Sequence, residues 1–154
     1  MILIDTREKE QAIRQIIEHF DKNGVDYDRT KLYVGDYQEL TNPQLVIDRK
    51  HNIDELARNC SYSKDYKRFL AELDRAARAN IKIIFLVEQN KFKDRDRTVH
   101  VKSIEDLIMW QSKHWSIRGE QVFRNLSHLV FKYDIEVRFC NKRDTGKKIL
   151  EILT

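Results

Sequence analysis

Turn-forming residues are scarce: one proline and four glycines serve 154 residues. That scarcity excludes flexible Pro/Gly linkers, and no internal repeat or low-complexity segment appears. The two cysteines, Cys60 and Cys140, are far apart, which argues against a disulfide framework or a thiolate zinc site. His19, His51, His100, His114 and His128 are scattered with no HxH or HxxxH pair, which argues against a histidine-built metal centre. No apolar run approaches the ~20 residues of a membrane helix. The opening "MILIDTREKE" reaches acids within five residues, without the basic and apolar regions of a signal peptide. These absences predict a cytoplasmic protein with no membrane partner.

Charged residues make up 35% and hydrophobic residues 41%, a globular composition rather than a disordered one. The length predicts a single domain over 1–154 with a substantial core. A net charge of +4 permits nucleic-acid binding without establishing it.

Residues 2–5, "ILID", read as a short buried strand. Helical spacing of Ile13, Ile16, Ile17 and Phe20 predicts a helix over 9–22, ended by Asn23-Gly24. Runs 31–37 and 44–50 read as strands joined at Asn42-Pro43 into an antiparallel hairpin. Asn52 is placed to cap a short helix from Ile53. Residues 63–79 read as the clearest helix, with Ser63 as its N-cap. "IKIIFLVE" (81–88) has the apolar, β-branched character of a strand covered on both faces. Helices are expected over 103–111, 118–133 and 144–153, with a strand at 134–140. The class is α/β: a three-layer arrangement with a central mixed sheet of about five strands flanked by helices. Chemistry in such a sheet sits at strand ends.

Acids stand at those ends: Asp5, Asp36, Asp48 and Glu88. A single acid at a strand end usually meets solvent. Several gathered together destabilise the fold unless a cation offsets them. Asp36 and Asp48 meet through the hairpin, and Asp48 and Lys50, two apart on one strand, share a face. Oxygen ligands with water completing the shell are magnesium's habit. A nearby ammonium can neutralise charge on a reacting phosphate or serve only as a salt-bridge partner.

Gly35-Asp36, an eleven-residue spacer, Asp48-Arg49-Lys50 and Asp54 resemble the GD…ERKxxxD signature of XPF-type nucleases, a branch of the PD-(D/E)xK, restriction-endonuclease-like superfamily. "IDTREK" is similar to that family's first motif, "IIFLVE" to its "LLIE" strand, and the C-terminal strand and Thr-initiated helix to its close. Asp48 stands where the family has Glu. The resemblance implies metal binding by Asp36 and Asp48, with Mg2+ as the ion and Mn2+ as an alternative. It implies a catalytic role for Lys50, and an active-site group of Asp5, Arg7 and Glu8. Arg49 and Asp54 match the remaining signature positions. Arg49 is open to a phosphate contact, a structural role or simple solvation; Asp54 to a place in the first turn of its helix.

DNA contacts are expected from Arg7, Arg49, Lys64, Lys91 and Lys93. Trp110 and Trp115 are candidates for base stacking or for the core. The resemblance implies a metal-dependent endonuclease on branched or flap-like duplex DNA, leaving 3′-hydroxyl and 5′-phosphate ends. Alternatives are a Holliday-junction resolvase or restriction-type nuclease on the same core, or a non-catalytic DNA-binding or scaffold member. The chain is expected to stand alone, without the family's helix-hairpin-helix module. The apolar surplus of the 118–133 helix makes a homodimer one option for the chain, as the family's pairing through this domain implies, and leaves open a separate helicase or DNA-binding partner.

Overall fold

A computed structural model of the chain describes residues 1–89, 100–112 and 116–154. The strands are β1 (Ile2–Asp5), β2 (Tyr27–Thr30), β3 (Tyr37–Glu39), β4 (Asn42–Lys50), β5 (Lys82–Gln89) and β6 (Ile135–Asn141). The α-helices are α1 (Arg14–Lys22), α2 (Ile53–Ser61), α3 (Ser63–Arg78), α4 (Gly119–Lys132) and α5 (Thr145–Leu153). The strands form one mixed sheet in the order β2-β1-β3-β4-β5-β6. β4, β5 and β6 run parallel; β3 is antiparallel to both β1 and β4.

Side chains alternate across a strand, so the sheet feeds two cores. Val46, Ile83, Phe85 and Val87 pack with Leu56, Phe69 and Leu73 of α2 and α3 and with Val122 and Leu126 of α4. Ile47, Ile84 and Leu86 pack on the opposite face with Ile16 and Phe20 of α1 and Ile149 and Leu153 of α5. The expected three-layer α/β architecture is the observed one, and β5 is buried along nearly its whole length. No helix among the described residues is long and apolar enough to cross a membrane.

Several local expectations need correction. The sheet has six strands, because "YDRT" (27–30) pairs in parallel with β1 at the sheet edge. Its alternation of half-buried and exposed residues, with Asp28 and Arg29 in the middle, hides it from a hydrophobicity reading. Residues 31–36 form no strand, and pairing starts only at Tyr37. The hairpin turns at Leu40-Thr41, so Asn42 and Pro43 already belong to β4. Helix α1 starts at Arg14, after a run of turns. Tyr62, not Ser63, is the N-cap residue of α3, and it makes no side-chain cap bond. Ile104–Met109 is a 3₁₀ helix, held by a capping box between Ser103 and Asp106. Asn52 does cap α2, accepting from the Glu55 N–H at 2.7 Å.

The chain direction gathers the functional end. β1, β4 and β5 all point their C-termini the same way, while β3 runs back. Asp5, Lys50 and Glu88 therefore finish at the end of the sheet where Asp36 begins.

Candidate active site

Gly35 sets the position of Asp36. Its φ of +76° is open to glycine and costly for other residues. A Cβ there would also lie 3.0 Å from the Ile47 carbonyl oxygen and from the Val46 side chain. Only a residue without a side chain lets the 31–36 loop lie flat on β4. The Asp36 N–H then donates to the Ile47 carbonyl, and its carbonyl accepts from the Asp5 N–H, both at 2.8 Å. The Asp36 carboxylate turns to β4, where Oδ2 accepts the Arg49 N–H at 2.8 Å.

One face of β4 carries Asp48 and Lys50. Lys50 Nζ lies 3.0 Å from Asp48 Oδ1 and sits over the rings of Phe69 and Phe85, 5.6 and 5.5 Å from their centroids. Burial opposes the ammonium, but the Asp48, Glu72 and Glu55 carboxylates outweigh it and hold its pKa above the ordinary lysine range. These neighbours favour the ammonium form of Lys50.

Asp36 shows the opposite strain. Burial, then the Asp48 and Glu8 carboxylates, push its pKa well above the ordinary carboxylate value, against the Arg49 N–H and Lys50. Glu72, half-buried on α3, is pushed up to about 8 by burial and by the neighbouring Asp48 carboxylate. Glu72 was absent from the sequence-derived set. The signal was there: it lies three residues after buried Phe69 and next to buried Leu73, an acid inside an apolar stripe.

The other face of β4 carries Arg49. It is not solvated. Its Nε donates to Glu8 Oε2 at 2.7 Å, its Nη2 to Glu8 Oε1 at 3.2 Å and its Nη1 to Glu88 Oε1 at 3.3 Å. Tyr37 donates to Glu8 Oε2 at 2.8 Å, and Thr145 Oγ1 lies 3.0 Å from Glu88 Oε1. Burial raises the Glu88 pKa against the pull of Arg49, Thr145 and Lys142.

Asp5 is sealed from solvent. Oδ1 accepts the Arg7 N–H and Nε, each at 2.8 Å, while Oδ2 accepts Arg7 Nη2 and the Leu32 N–H, each at 2.9 Å. Burial would raise its pKa, but the Arg7 and Leu32 donors hold it below the ordinary value. These four bonds occupy all its lone pairs, so Asp5 anchors Arg7 and the 31–36 loop. Arg7 keeps much of its side chain in solvent. Asp54 lies in the first turn of α2 and accepts from Ser112 Oγ at 2.6 Å. Lys64 is exposed at the start of α3. Lys91, Lys93 and Trp115 lie outside the described residues, and Trp110 is buried in the core.

The structure thus brings Asp36, Asp48 and Lys50 together, joined by Glu72. Among the described residues no group of three or more His, Cys, Asp or Glu side chains is placed to hold a metal ion. The pair Asp36 and Asp48 nevertheless suits a hard divalent cation. Both are oxygen donors, their mutual repulsion calls for positive charge, and a shell completed by water is ordinary for Mg2+.

The sequence profile of the ERCC4 domain family matches residues 4–153. The chain belongs to the ERCC4 domain family. The resemblance to XPF-type nuclease domains, read from Gly35-Asp36 and Asp48-Arg49-Lys50, therefore holds along nearly the whole chain. Among solved structures, XPF from Aeropyrum pernix is similar at 15% identity and a TM-score of 0.61, covering 99% of this chain and 64% of that one. XPF from Aeropyrum pernix in complex with DNA is similar at 17% identity and a TM-score of 0.62, covering 99% of this chain and 62% of that one. At that identity the likeness is one of fold. The chain spans somewhat under two thirds of the length of these structures. No curated protein matches it in sequence.

Proposed function

We propose that this ERCC4-family chain is a divalent-metal-dependent DNA endonuclease that hydrolyses a phosphodiester in branched or flap-like duplex DNA, leaving a 3′-hydroxyl and a 5′-phosphate. The observation carrying the reading is the meeting of Asp36, Asp48 and Lys50 at one end of the sheet, with Asp36 still partly open to solvent. Asp36 and Asp48 would hold Mg2+ or Mn2+. The bound ion supplies a water acidic enough to attack at neutral pH and positive charge beside the phosphate. Lys50, kept protonated by its carboxylate neighbours, neutralises charge developing on the phosphate oxygens. Glu72 holds Asp48 in place and accepts a proton once its own is released. Arg49 locks Glu8 and, through its backbone N–H, orients Asp36.

A branched substrate suits the surroundings of the site. Tyr33, three residues before Asp36, is 63% exposed and free to stack on an unpaired base. Arg7 and Lys64 present charge for the phosphate backbone. Residues such as Phe131, 92% exposed on α4, offer an apolar surface for a second copy or a separate DNA-gripping partner.

The test is cleavage of end-labelled flap, fork, four-way and plain duplex DNA with Mg2+, with EDTA and Asp48→Asn as controls. Cutting next to the branch, lost in both controls while DNA binding persists, is the expected result. Cutting that survives Asp48→Asn would remove the assigned site. Metal-independent binding with no cutting of any substrate would favour a scaffold role.

A further inference from the structure

At the β6 side of the sheet lies a cleft of about 270 Å³ that no residue of the proposed hydrolytic chemistry lines. Strand register gives its place. Lys50 is level with Val87, and Val87 with Phe139. Residues level across a sheet point to one face, so Gln89 and Asn141, two positions further on, share the face of Asp48 and Lys50. Two strand spacings and a two-residue advance put the cleft roughly 12 Å from Lys50. Its walls are fixed by the protein's own bonds. Gln89 takes both main-chain groups of Val101: its amide donates to the carbonyl, and its Oε1 accepts the N–H at 3.2 Å. Asn141 Oδ1 accepts the Arg143 N–H at 3.3 Å, which leaves its amide N–H groups as donors. Lys102 and Arg143 line the cleft, are exposed and form no ion pair among the described residues. His100 adds a third basic side chain. The one acid in the lining, Asp144, stands at the amino end of α5, where the helix dipole favours it.

Unpaired cations beside a fixed polar wall, on the face that carries Asp48 and Lys50, fit a phosphate. Resting on the nuclease reading, we propose that this cleft anchors a backbone phosphate of the DNA substrate a few nucleotides from the scissile one. Arg143 grips the phosphate through its planar fork, Lys102 adds a point charge, and the Asn141 amide adds a neutral donor. At about 3.4 Å per nucleotide along a duplex strand, the anchored phosphate stands about three or four nucleotides from the cut. The contact reads no base. Phosphate contacts of this kind set register. A phosphate held at Arg143 therefore decides which of its neighbours reaches Asp36 and Asp48.

The experiment uses forks in which one phosphate at a time, along each strand beside the junction, is replaced by an uncharged methylphosphonate. Binding is read by anisotropy in EDTA, and cleavage with its position in Mg2+. In the wild type, replacement about three or four nucleotides from the cut should weaken binding roughly tenfold, the scale of one charge-assisted contact. Arg143→Ala should weaken binding of the unmodified fork by a similar factor and lower the salt slope by about one ion. In that variant the same methylphosphonate should cost nothing further, because the two changes remove one shared contact. Lys102→Ala should repeat the pattern at smaller amplitude. The Arg143 side chain makes no hydrogen bond among the described residues, so the variant should melt with the wild type. An interference pattern identical in the wild type and Arg143→Ala would overturn the anchor, while cutting of the fork would keep the nuclease reading. Absence of cutting on every substrate would defeat the nuclease reading, and the pattern in EDTA would still decide whether the cleft holds a phosphate.

Discussion

The two faces of β4 make opposite use of charge. On one, Asp48 and Lys50 meet Glu72 under α3, with an excess of carboxyl groups that burial and repulsion push towards protonation. On the other, Arg49 pairs with Glu8 and Glu88 together, on the face packed by α1 and α5. A single residue step along one strand separates a site short of positive charge from one where charge is spent on structure. The lesson is that adjacent signature residues need not share a job. Asp48 and Lys50 carry the proposed chemistry, whereas Arg49 pairs with Glu8 and Glu88 and donates its N–H to Asp36.

The strongest way to break this contrast is to change each face in turn. Asp48→Asn and Lys50→Met should each lower the cleavage rate by about 10³-fold or more, the scale of losing a preorganised charge at a reacting centre. Each also breaks the buried Asp48–Lys50 ion pair, so calorimetry alongside single-turnover kinetics should show a lower melting temperature together with the rate loss. Arg49→Ala should do the reverse in emphasis. It leaves Glu8 and Glu88 buried without their counter-ion, a loss of roughly 3–5 kcal/mol that denaturant titration will read. If Arg49→Ala is as stable as the wild type, or loses as much cleavage as Asp48→Asn, the division of labour between faces is wrong.

A pH series sharpens the same contrast. The folded pKa of Glu72, about 8, lies above its ordinary 4.5. Stability from this group is therefore full below about pH 4.5 and is lost as pH rises through 8. In EDTA the melting temperature should fall between pH 5 and 9. Glu72→Gln should make that fall shallower by several degrees, at roughly 2–4 °C per kcal/mol for a chain of this size. Mg2+ should restore the loss at the alkaline end, where the carboxyls are ionised and repel. A slope identical in Glu72→Gln would remove Glu72 from the cluster. Next in size is Gly35→Ala, expected to cost about 1–2 kcal/mol from its left-handed backbone. It should also slow cleavage by moving Asp36, a drop in rate beyond that of an equally destabilising core change. The smallest effect belongs to Lys64→Ala. Its binding should weaken slightly and the salt slope fall by about one ion, as read from affinity at several salt concentrations.

Much of this was legible in the residues. The apolar periods of α3, β5 and α4 specify their elements because burial against a sheet selects spacing. Gly35-Asp36 and Asp48-Arg49-Lys50 specify the hairpin's acids because the two strands join locally. Less legible were β2, whose half-exposed edge position carries no apolar pattern, and the loop at 31–36, whose extended apolar residues Leu32 and Val34 imitate a strand. The fate of Arg49 was equally hidden, since its partners Glu8 and Glu88 lie 41 and 39 positions away.

By itself the sequence determined the layered α/β class and the strand that carries both acid and lysine, which follow from local periodicity and spacing, and the family, which its motifs resemble. Only the tertiary structure decided that Glu72 joins Asp48, that Asp5 is consumed by Arg7, and that Arg49 is buried between two glutamates. Those outcomes depend on which helix packs over which strand end, and the energy of a charge is set by neighbours in space rather than by neighbours in the chain.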